Sequence, residues 1–292
     1  MVRSGVVSDE LWSVLEPLMP SGVGRRGRPW REHRRTLEGI CWRFRTGAPW
    51  RDLPAEFGPW KTAWKRHRRW SEDGTYERMF AAAQAAGCLD GQVDDVRRLL
   101  GIDSTVVRAH QHAAGAPGVK KRAESNYKKP LGEPDDHAVG RSRGGLTTKI
   151  HALTDASCRP VRMLLTKGQA GDNPMLEPLI RQHRERDRRP FRLLADKAYS
   201  HPSTRRLLRR LQIPHTIPER SDQIARRKAK GRAGGRPPAF DADLYRHRNT
   251  TERAFGRLKQ WRGIATRYDK YAITYLGGVI LATIVANHRI QI

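Results

Sequence analysis

Cysteine is scarce in this sequence, with only Cys41, Cys88 and Cys158 among 292 residues. The three are scattered and form no CxxC pair, which argues against a zinc ribbon and against a disulfide-stapled scaffold. This usage is typical of a reducing compartment. We therefore expect a cytoplasmic protein whose fold is held by its hydrophobic core.

Long hydrophobic runs are also nearly absent. The longest uncharged run, Tyr271 to Asn287, has 17 residues, which is the lower limit for a segment that spans a membrane. It contains two tyrosines, two threonines and a pair of glycines, so it favours a buried core helix. No apolar h-region of a secretory signal is evident near the first residues. These features predict a protein without a membrane partner.

Acidic residues are in short supply relative to basic ones. The sequence has 30 Asp and Glu against 57 Lys and Arg, which gives a net charge of +27. The basic residues run from Arg3 to Arg289, so the charge does not come from one tail. Such a balance indicates a polyanionic partner, with nucleic acid favoured. An anionic membrane surface is the alternative, but no basic amphipathic helix with a clean lipid face is visible.

Residues 1–90 have the pattern of a small all-α domain. Helices are predicted from Ser8 to Leu18, from Arg34 to Arg45, over the segment PWKTAWKRHRRW that begins at Pro59, and from Thr75 to Ala86. A basic Gly/Pro hinge, GVGRRGRPWR, separates the first two helices. A short helix, a tight turn and a basic helix are typical of helix-turn-helix DNA readers. We therefore predict a helix-turn-helix-like DNA-binding domain over residues 1–90.

Two residue types in this first part are candidates for contact with DNA. The basic cluster on the third helix is expected to contact phosphates rather than only water, and its members are Lys65, Arg66, Arg68 and Arg69. Seven of the eight tryptophans lie at or before Trp70. They could stack on bases, or they could fill a small helical core. Core packing is the favoured interpretation for most of them.

The remainder of the chain predicts a mixed α/β sheet flanked by helices. Residues 91–98 are expected to form a linker, followed by a second domain over residues 99–292. Its predicted strands are Leu99–Val107, Leu146–Thr154, Val161–Thr166, Phe191–Ala195 and Ile213–Ile217. Helices are expected at 173–186, 202–211, 245–259 and 271–287. Basic Gly/Pro-rich loops are predicted near residues 115–145 and 220–238.

Three carboxylates stand on separate predicted elements. Asp103 lies inside the first strand, Asp196 stands at the carboxyl end of a later strand, and Glu252 lies on the helix YRHRNTTERAFGRLK. Convergence of the three would give the oxygen ligands that Mg²⁺ prefers, and paired ions support in-line phosphoryl transfer. The alternatives are a satisfied structural Asp103 and a solvated Arg248–Glu252 pair, worth about 0.3–0.5 kcal/mol. Asp172 is most simply assigned to a helix N-terminus.

These segments also carry a family resemblance over nearly the whole chain. The motifs are GIDSTVVRAH around Asp103, LLADKAYS around Asp196 and YRHRNTTERAFGRLKQWRGIATRYDK around Glu252, with VSDELW and GAPWRDLPAEFGPW nearer the start. The spacing of Tyr245, Arg248, Glu252 and Lys259 is the most specific feature. The sequence resembles bacterial insertion-sequence transposases of the DDE type, in the insertion-sequence family five group of the larger four/five superfamily.

The resemblance implies an RNase H-like catalytic domain and Mg²⁺-dependent cutting and joining of the element's ends, with Mn²⁺ as a substitute. It implies Asp103, Asp196 and Glu252 as the catalytic, metal-binding triad. Arg248 and Lys259 would bind phosphates near the cleaved ends, with Tyr245 beside them. The implied partners are double-stranded DNA, as element ends and as target, and further copies of the chain in a homodimer or higher synaptic oligomer.

Two other functions remain open on the sequence. A related metal-dependent nuclease would use the same metal site to cut DNA without joining it. A domesticated copy could instead act as a DNA-binding repressor and tolerate loss of the three acids, although all three are present. The terminal repeat, the target preference and the transposition pathway do not follow from these residues.

Overall fold

A computed structural model describes residues 5–20, 32–87, 98–115 and 130–288. The predicted hinge at 22–31 lies outside the described residues, as do the linker except Arg98 and the loop segment 116–129. The four expected N-terminal helices are confirmed as α1 (Asp9–Leu15), α2 (His33–Thr46), α3 (Trp60–Glu72) and α4 (Thr75–Ala85). Ser8 caps α1 by accepting a hydrogen bond from the Leu11 amide. Gly47 ends α2 in the left-handed region at φ 71°.

The second part contains a seven-stranded mixed sheet. Its strands are β1 (Leu99–Ala109), β2 (Gly140–Ser142), β3 (Gly145–Asp155), β4 (Pro160–Lys167), β5 (Arg192–Ala195), β6 (His215–Thr216) and β7 (Thr266–Arg267). The central strand β1 pairs antiparallel with β3 and parallel with β5. On the outer sides, β4 and β2 pair antiparallel with β3, and β6 pairs parallel with β5. This order confirms the predicted RNase H-like mixed sheet.

Helices cover the sheet and follow it in the chain. They are α5 (Gln111–Ala114), α6 (Leu176–Arg186), α7 (Pro202–Arg210), α8 (Ser221–Ala229), α9 (Ala242–Arg246), α10 (Asn249–Lys259), α11 (Arg262–Ala265) and α12 (Ala272–His288). The prediction of a loop over 220–238 is wrong in its first half. The segment SDQIARRKA contains neither Gly nor Pro, so it can form the helix α8. The glycines and prolines of this region begin only after that helix.

The predicted single helix from Tyr245 to Lys259 is also wrong. It is two helices, and the break falls at His247 and Arg248. The Asn-Thr-Thr sequence that follows the break has low helix propensity and suits the start of a helix rather than its interior. Tyr245 therefore lies on α9, whereas Glu252 and Lys259 lie on α10.

The helix α12 joins the two parts of the molecule. Most of its residues are buried, and it shares one hydrophobic cluster with α1 to α4 and with parts of β3 and β4. A buried ion pair of 2.8 Å between Arg43 and Asp269 links α2 to the segment before α12. A second cluster lies between the sheet and α6 and α7. The N-terminal helices therefore pack on the sheet domain through α12, while the domain boundary at 91–98 remains a prediction.

Burial of α12 agrees with its interpretation as a core helix. In the described ranges, no helix combines the length and apolar character needed to cross a membrane.

Candidate active site

Asp103 and Asp196 lie next to each other on adjacent parallel strands. In the register between β1 and β5, Ile102 stands opposite Ala195, and each aspartate follows directly after its member of that pair. Asp103 is partly buried, with 19% of its side chain exposed. Asp196 ends β5, and its carboxylate accepts a hydrogen bond from the Ala198 amide. The carboxyl end of a strand is where open α/β sheets place their ligand sites.

Arg248 connects Asp103 to the third predicted acid. Its guanidinium donates to Asp103 Oδ2 at 2.9 Å and to Glu252 Oε1 at 2.7 Å. Arg248 is mostly buried, whereas 59% of the Glu252 side chain is exposed. Arg248 directly precedes α10 and Glu252 lies in the first turn of that helix, four residues later. The contact between them therefore persists although α9 and α10 are separate helices. The guanidinium thus holds a strand carboxylate and a helix carboxylate together.

Three small or hydroxylated residues seat α10 against β1. Thr251 on α10 shares a buried hydrogen bond of 2.6 Å with Thr154 on β3. Gly101 lies beneath them on β1, and a Cβ at this position would overlap Thr251 Oγ1. Glycine therefore allows the helix to approach the strand closely, two residues before Asp103. This contact sets how near Glu252 comes to the two aspartates.

The electrostatics of the site reflect burial and crowding of negative charge. Burial raises the pKa of Asp103, and the charges of Asp196 and Asp172 raise it further, while the Ser104 amide and Arg248 lower it. Burial also raises the pKa of Tyr245, and the negative charges of Asp196, Asp103 and Glu252 act in the same direction. The charge of Arg248 lowers the pKa of Tyr245 against these effects, but the net shift is upward, so the phenol stays protonated at neutral pH.

Lys259 lies further along the same surface. Its ammonium is exposed and donates a hydrogen bond of 3.3 Å to the carbonyl of Val106, three residues after Asp103 on β1. Partial burial lowers its pKa. Arg248 thus contacts two of the acids directly, and Lys259 contacts β1 near Asp103, whereas the roles predicted for Tyr245, Arg248 and Lys259 remain predictions.

Asp172 stands at a helix N-terminus, as the sequence predicted, but its side chain belongs to the region of Asp103. The structure records no helix-capping hydrogen bond from its side chain. It accepts instead from Ser104 Oγ at 2.6 Å and from Lys149 Nζ at 2.9 Å, next to Asp103. Tyr199 lies buried beside the same acids, which together with burial raise its pKa. A lysine inside the strand LTTKIHALT was the available signal, because a buried lysine needs a carboxylate partner.

The basic cluster on α3 divides into exposed and packed members. Lys65 and Arg69 are exposed, and Arg68 pairs with Glu72 at 2.7 Å. Arg66, which was expected to contact phosphate with its neighbours, is buried, because only 6% of it is accessible. Arg66 donates to Thr36 and contacts His33, both on α2, so it joins two helices and does not lie on the surface.

The donor set of the three acids suits a hard divalent cation, which prefers carboxylate oxygens. In the arrangement described for residues 5–20, 32–87, 98–115 and 130–288, no three His, Cys, Asp or Glu side chains stand close enough to hold a metal ion together. The guanidinium of Arg248 occupies the space between Asp103 and Glu252. The residues therefore fit a metal by their chemistry, provided that Arg248 withdraws.

Comparison with known proteins adds two family matches that together cover most of the chain. Residues 7–80 match a family described as "Putative transposase of IS4/5 family (DUF4096)". Residues 94–286 match the family "Transposase DDE domain". The second match contains Asp103, Asp196 and Glu252.

One relative of the chain is an uncharacterized protein, and two others are proteins of bacterial insertion elements. The chain is 38% identical over 113 residues to the uncharacterized protein y4sN of Sinorhizobium fredii, covering 38% of this chain and 83% of that protein. It is 37% identical over 110 residues to an uncharacterized 16.2 kDa protein of insertion element IS402 from Burkholderia cepacia, covering 36% and 74%. It is 30% identical over 141 residues to a transposase assigned to insertion element IS6501 in Brucella ovis, covering 47% and 95%.

Two solved structures show weaker likeness. The Mos1 transposase paired-end complex with left transposon end has a TM-score of 0.27 and 13% identity, over 79% of each chain. The Mos1 mariner paired end complex with Mn has a TM-score of 0.26 and 12% identity, over 83% of this chain and 80% of that one. At these scores the likeness supports no argument, and the fold rests on the strand order. The family match over residues 94–286 is decisive: the chain belongs to the DDE transposases, in the IS4/5 family of insertion elements.

Proposed function

We propose that this transposase binds the double-stranded terminal inverted repeats of its insertion element and catalyses metal-dependent strand cleavage and strand transfer. The observation that carries the proposal is the contact of Arg248 with both Asp103 and Glu252, beside Asp196 on the adjacent strand. Three acids from separate elements at one edge of a sheet are hard to explain in a protein that only binds DNA. Arg248 balances part of their charge, but one guanidinium does not balance three carboxylates, and a divalent cation would balance the remainder.

The roles of the acids follow from their oxygen chemistry. Asp103, Asp196 and Glu252 would hold Mg²⁺, with Mn²⁺ as a substitute. When bound, such a cation would stabilise the charge that develops on the reacting phosphate and on its attacking and leaving oxygens.

The neighbouring donors would position the DNA strand. Arg248 can present a planar fork to phosphate oxygens once it leaves the carboxylates. Lys259 is exposed and would contact a phosphate along β1. The protonated phenol of Tyr245 can donate a hydrogen bond to a phosphate oxygen. On the N-terminal part, Lys65, Arg68 and Arg69 would bind the backbone of the element's end.

The protein would act on nucleoid DNA in the bacterial cytoplasm. Two element ends must be held together for joining, so a homodimer or a higher synaptic oligomer is expected.

A cleavage and joining assay tests the proposal. The purified protein is mixed with Mg²⁺, a fragment carrying the inverted ends that flank its gene, and a target plasmid. Nicking at the ends followed by joining to the plasmid is the expected result. Cleavage without joined products would favour the nuclease, and tight end binding without cleavage would favour the DNA-binding protein.

Matched variants test the assignment of the acids. Asp196→Asn and Glu252→Gln should abolish cleavage and leave binding to the ends nearly unchanged, because each removes one charge from the carboxylate group. Asp243→Asn, an exposed acid on α9, is the control and should cleave like the wild type. If Asp196→Asn lost end binding together with cleavage, its assignment as a metal ligand would be wrong.

A further inference from the structure

The described tryptophans of the N-terminal part differ in how far they are buried. Trp70 is fully buried, whereas Trp12, Trp42, Trp50 and Trp60 are half-buried and pack against the larger hydrophobic cluster. Trp50 and Trp60, together with the half-buried Trp64, also line a cavity of about 760 Å³. Core packing therefore accounts for most of the tryptophans, as the sequence predicted, but three half-buried rings also line this cavity.

Rings from the sheet domain close the opposite side of the same cavity. His110 and His112 follow the end of β1, and Tyr268 follows β7. The centroid of His110 lies 5.0 Å from Tyr268 and 4.5 Å from His112, so the three rings form a continuous wall. The cavity is thus an aromatic slot between the N-terminal helices and the sheet. Its size lies in the range of about 300–1,000 Å³ that is usual for pockets that enclose small organic groups.

Cations stand at the mouth of the slot. Arg51 lies over the Trp60 ring at 5.9 Å, and Lys61 lies over the same ring at 5.7 Å. Both side chains belong to exposed residues. Arg43 deeper in the slot is paired with Asp269, so its charge is already balanced. The walls are therefore aromatic and the rim is positive.

We propose that this slot binds an unpaired nucleobase of the DNA. Aromatic walls stack on the faces of any base, and rim cations contact the phosphates on either side of it. A cationic ligand, which aromatic walls also attract, is opposed by Arg51 and Lys61 at the rim. The inference rests on the proposed function, because it requires that the protein hold DNA along this surface.

The position of the slot predicts which base enters it. His110 follows Asp103 by seven positions, so the slot lies about 23 Å from Asp103 at about 3.3 Å per residue of strand. At about 3.4 Å per base pair, this distance corresponds to about seven base pairs of duplex. Lys259 lies between the two points, beside Val106. For a duplex that runs along β1 past Lys259, the unpaired base therefore lies about seven pairs from the phosphate that meets the carboxylates.

Binding of the full-length protein to three DNA probes tests the slot. The first is a paired duplex of the element's own end. The second is the same duplex with one unpaired thymine, placed at successive positions, and the third has an abasic unit in place of that thymine. Stacking of a base on aromatic rings is typically worth enough to change affinity about tenfold. The thymine probe should therefore bind about tenfold more tightly than the paired duplex, with a maximum about seven pairs from the cleaved end, and the abasic probe should lose that gain.

Variants of the slot separate stacking from general DNA binding. Trp64→Ala should lose the gain from the unpaired thymine and keep the affinity for the paired duplex, whereas Trp64→Phe should retain most of the gain. Tyr268→Leu, which alters the wall on the sheet side, should behave like Trp64→Ala and guards against a local folding defect.

Two results would overturn the inference. Equal affinity for the paired and unpaired probes at every position would do so, and so would an unchanged gain in both Trp64→Ala and Tyr268→Leu. A wild-type protein that binds none of the probes would instead overturn the proposed function, and the slot with it.

Discussion

Arg248 and Asp103 are 145 positions apart in the sequence, and the guanidinium of Arg248 donates a 2.9 Å hydrogen bond to Asp103 Oδ2. The second nitrogen of the same group binds Glu252. A side-chain cation therefore satisfies two of the three carboxylates that we assign to a metal ion. A divalent cation and Arg248 would compete for the same oxygens, and the phosphate of a bound DNA end offers Arg248 an alternative partner.

Replacing Arg248 by Gln should increase the affinity for Mn²⁺ in the absence of DNA. A hydrogen bond to a charged group contributes about 1.5–3 kcal/mol when buried, and the exposure of Glu252 reduces this value. We expect about tenfold tighter binding, measured from the electron paramagnetic resonance signal of free Mn²⁺. DNA cleavage should fall in the same variant, because its phosphate contact is lost.

Arg253→Gln is the control for that experiment, because it removes the same charge from the exposed surface of α10. Its affinity for Mn²⁺ should stay close to that of the wild type. Weaker Mn²⁺ binding in Arg248→Gln than in Arg253→Gln would mean that Arg248 supports the carboxylates rather than competing for them.

Gly101→Ala should push α10 away from β1. The added methyl group would overlap Thr251 Oγ1, and both positions are buried, so the strain should destabilise the protein by about 1–3 kcal/mol. Cleavage should fall as well, because Glu252 moves with the helix. Thermal unfolding and the cleavage assay measure the two effects.

Two further variants test the cause of that loss. Gly256→Ala places a methyl group in open space on the same helix and should be neutral or stabilise it by about 0.5–1 kcal/mol. Thr251→Ala combined with Gly101→Ala removes the overlapping hydroxyl and should restore part of the stability. No such recovery would show that α10 is positioned by other contacts.

The sequence predicted the strands and the three acids but not the geometry between them. The positions of Asp103 and Asp196 relative to their strands could be predicted, because alternating and continuous apolar patterns locate the ends of strands within a residue or two. The break before α10 was missed, since the residues on both sides fit one helical face. Tyr245 and Glu252 lie on different helices, but only two residues separate the end of α9 from the start of α10, so the two side chains stay in the same region.

Burial of charged side chains is the feature of this fold that the sequence reveals least. Arg66 and Lys149 look like surface residues in a sequence with 57 basic side chains. Their partners lie on other elements: His33 and Thr36 for Arg66, and Asp172 for Lys149. Lys149 inside a predicted strand indicates that a carboxylate partner is needed, but local patterns do not identify a long-range partner, so Asp172 could not be named from the sequence.

Lys65 and Arg66 are neighbours, and their replacement by Ala should have different consequences. Lys65→Ala should weaken binding to the element's end and reduce the slope of log K against log salt by about one, the amount expected for one phosphate contact. Arg66→Ala should instead destabilise the α2–α3 packing by about 1–3 kcal/mol, because it leaves buried polar groups without their donor. Salt titrations of binding and thermal melts distinguish the two. An unchanged salt slope in Lys65→Ala would move the end-binding surface away from α3.

His67 should make the protein sensitive to acid. It is fully buried, its Nδ1 accepts from the Tyr76 hydroxyl at 2.8 Å, and its Nε2 donates to the Thr274 carbonyl on α12 at 3.0 Å. Burial lowers its pKa from 6.5 to about 4. Between these values the unfolded chain takes up a proton that the folded protein does not, so stability falls as pH drops from about 6.5 towards 4. The loss from this residue alone is at most about 3 kcal/mol at 1.36 kcal/mol per pKa unit.

His67→Gln removes this titration while keeping an amide donor for Thr274. The variant should be less stable than the wild type near neutral pH, but its free energy of unfolding should fall less steeply as the pH is lowered. Urea unfolding at several pH values measures both slopes, with exposed His201→Gln as the control that should follow the wild type. Burial also lowers the pKa values of His151 and His183 to about 4, so both contribute to the slope that remains. If the slope of His67→Gln equalled that of the wild type, the acid sensitivity would arise at other groups and not at the contact between α3 and α12.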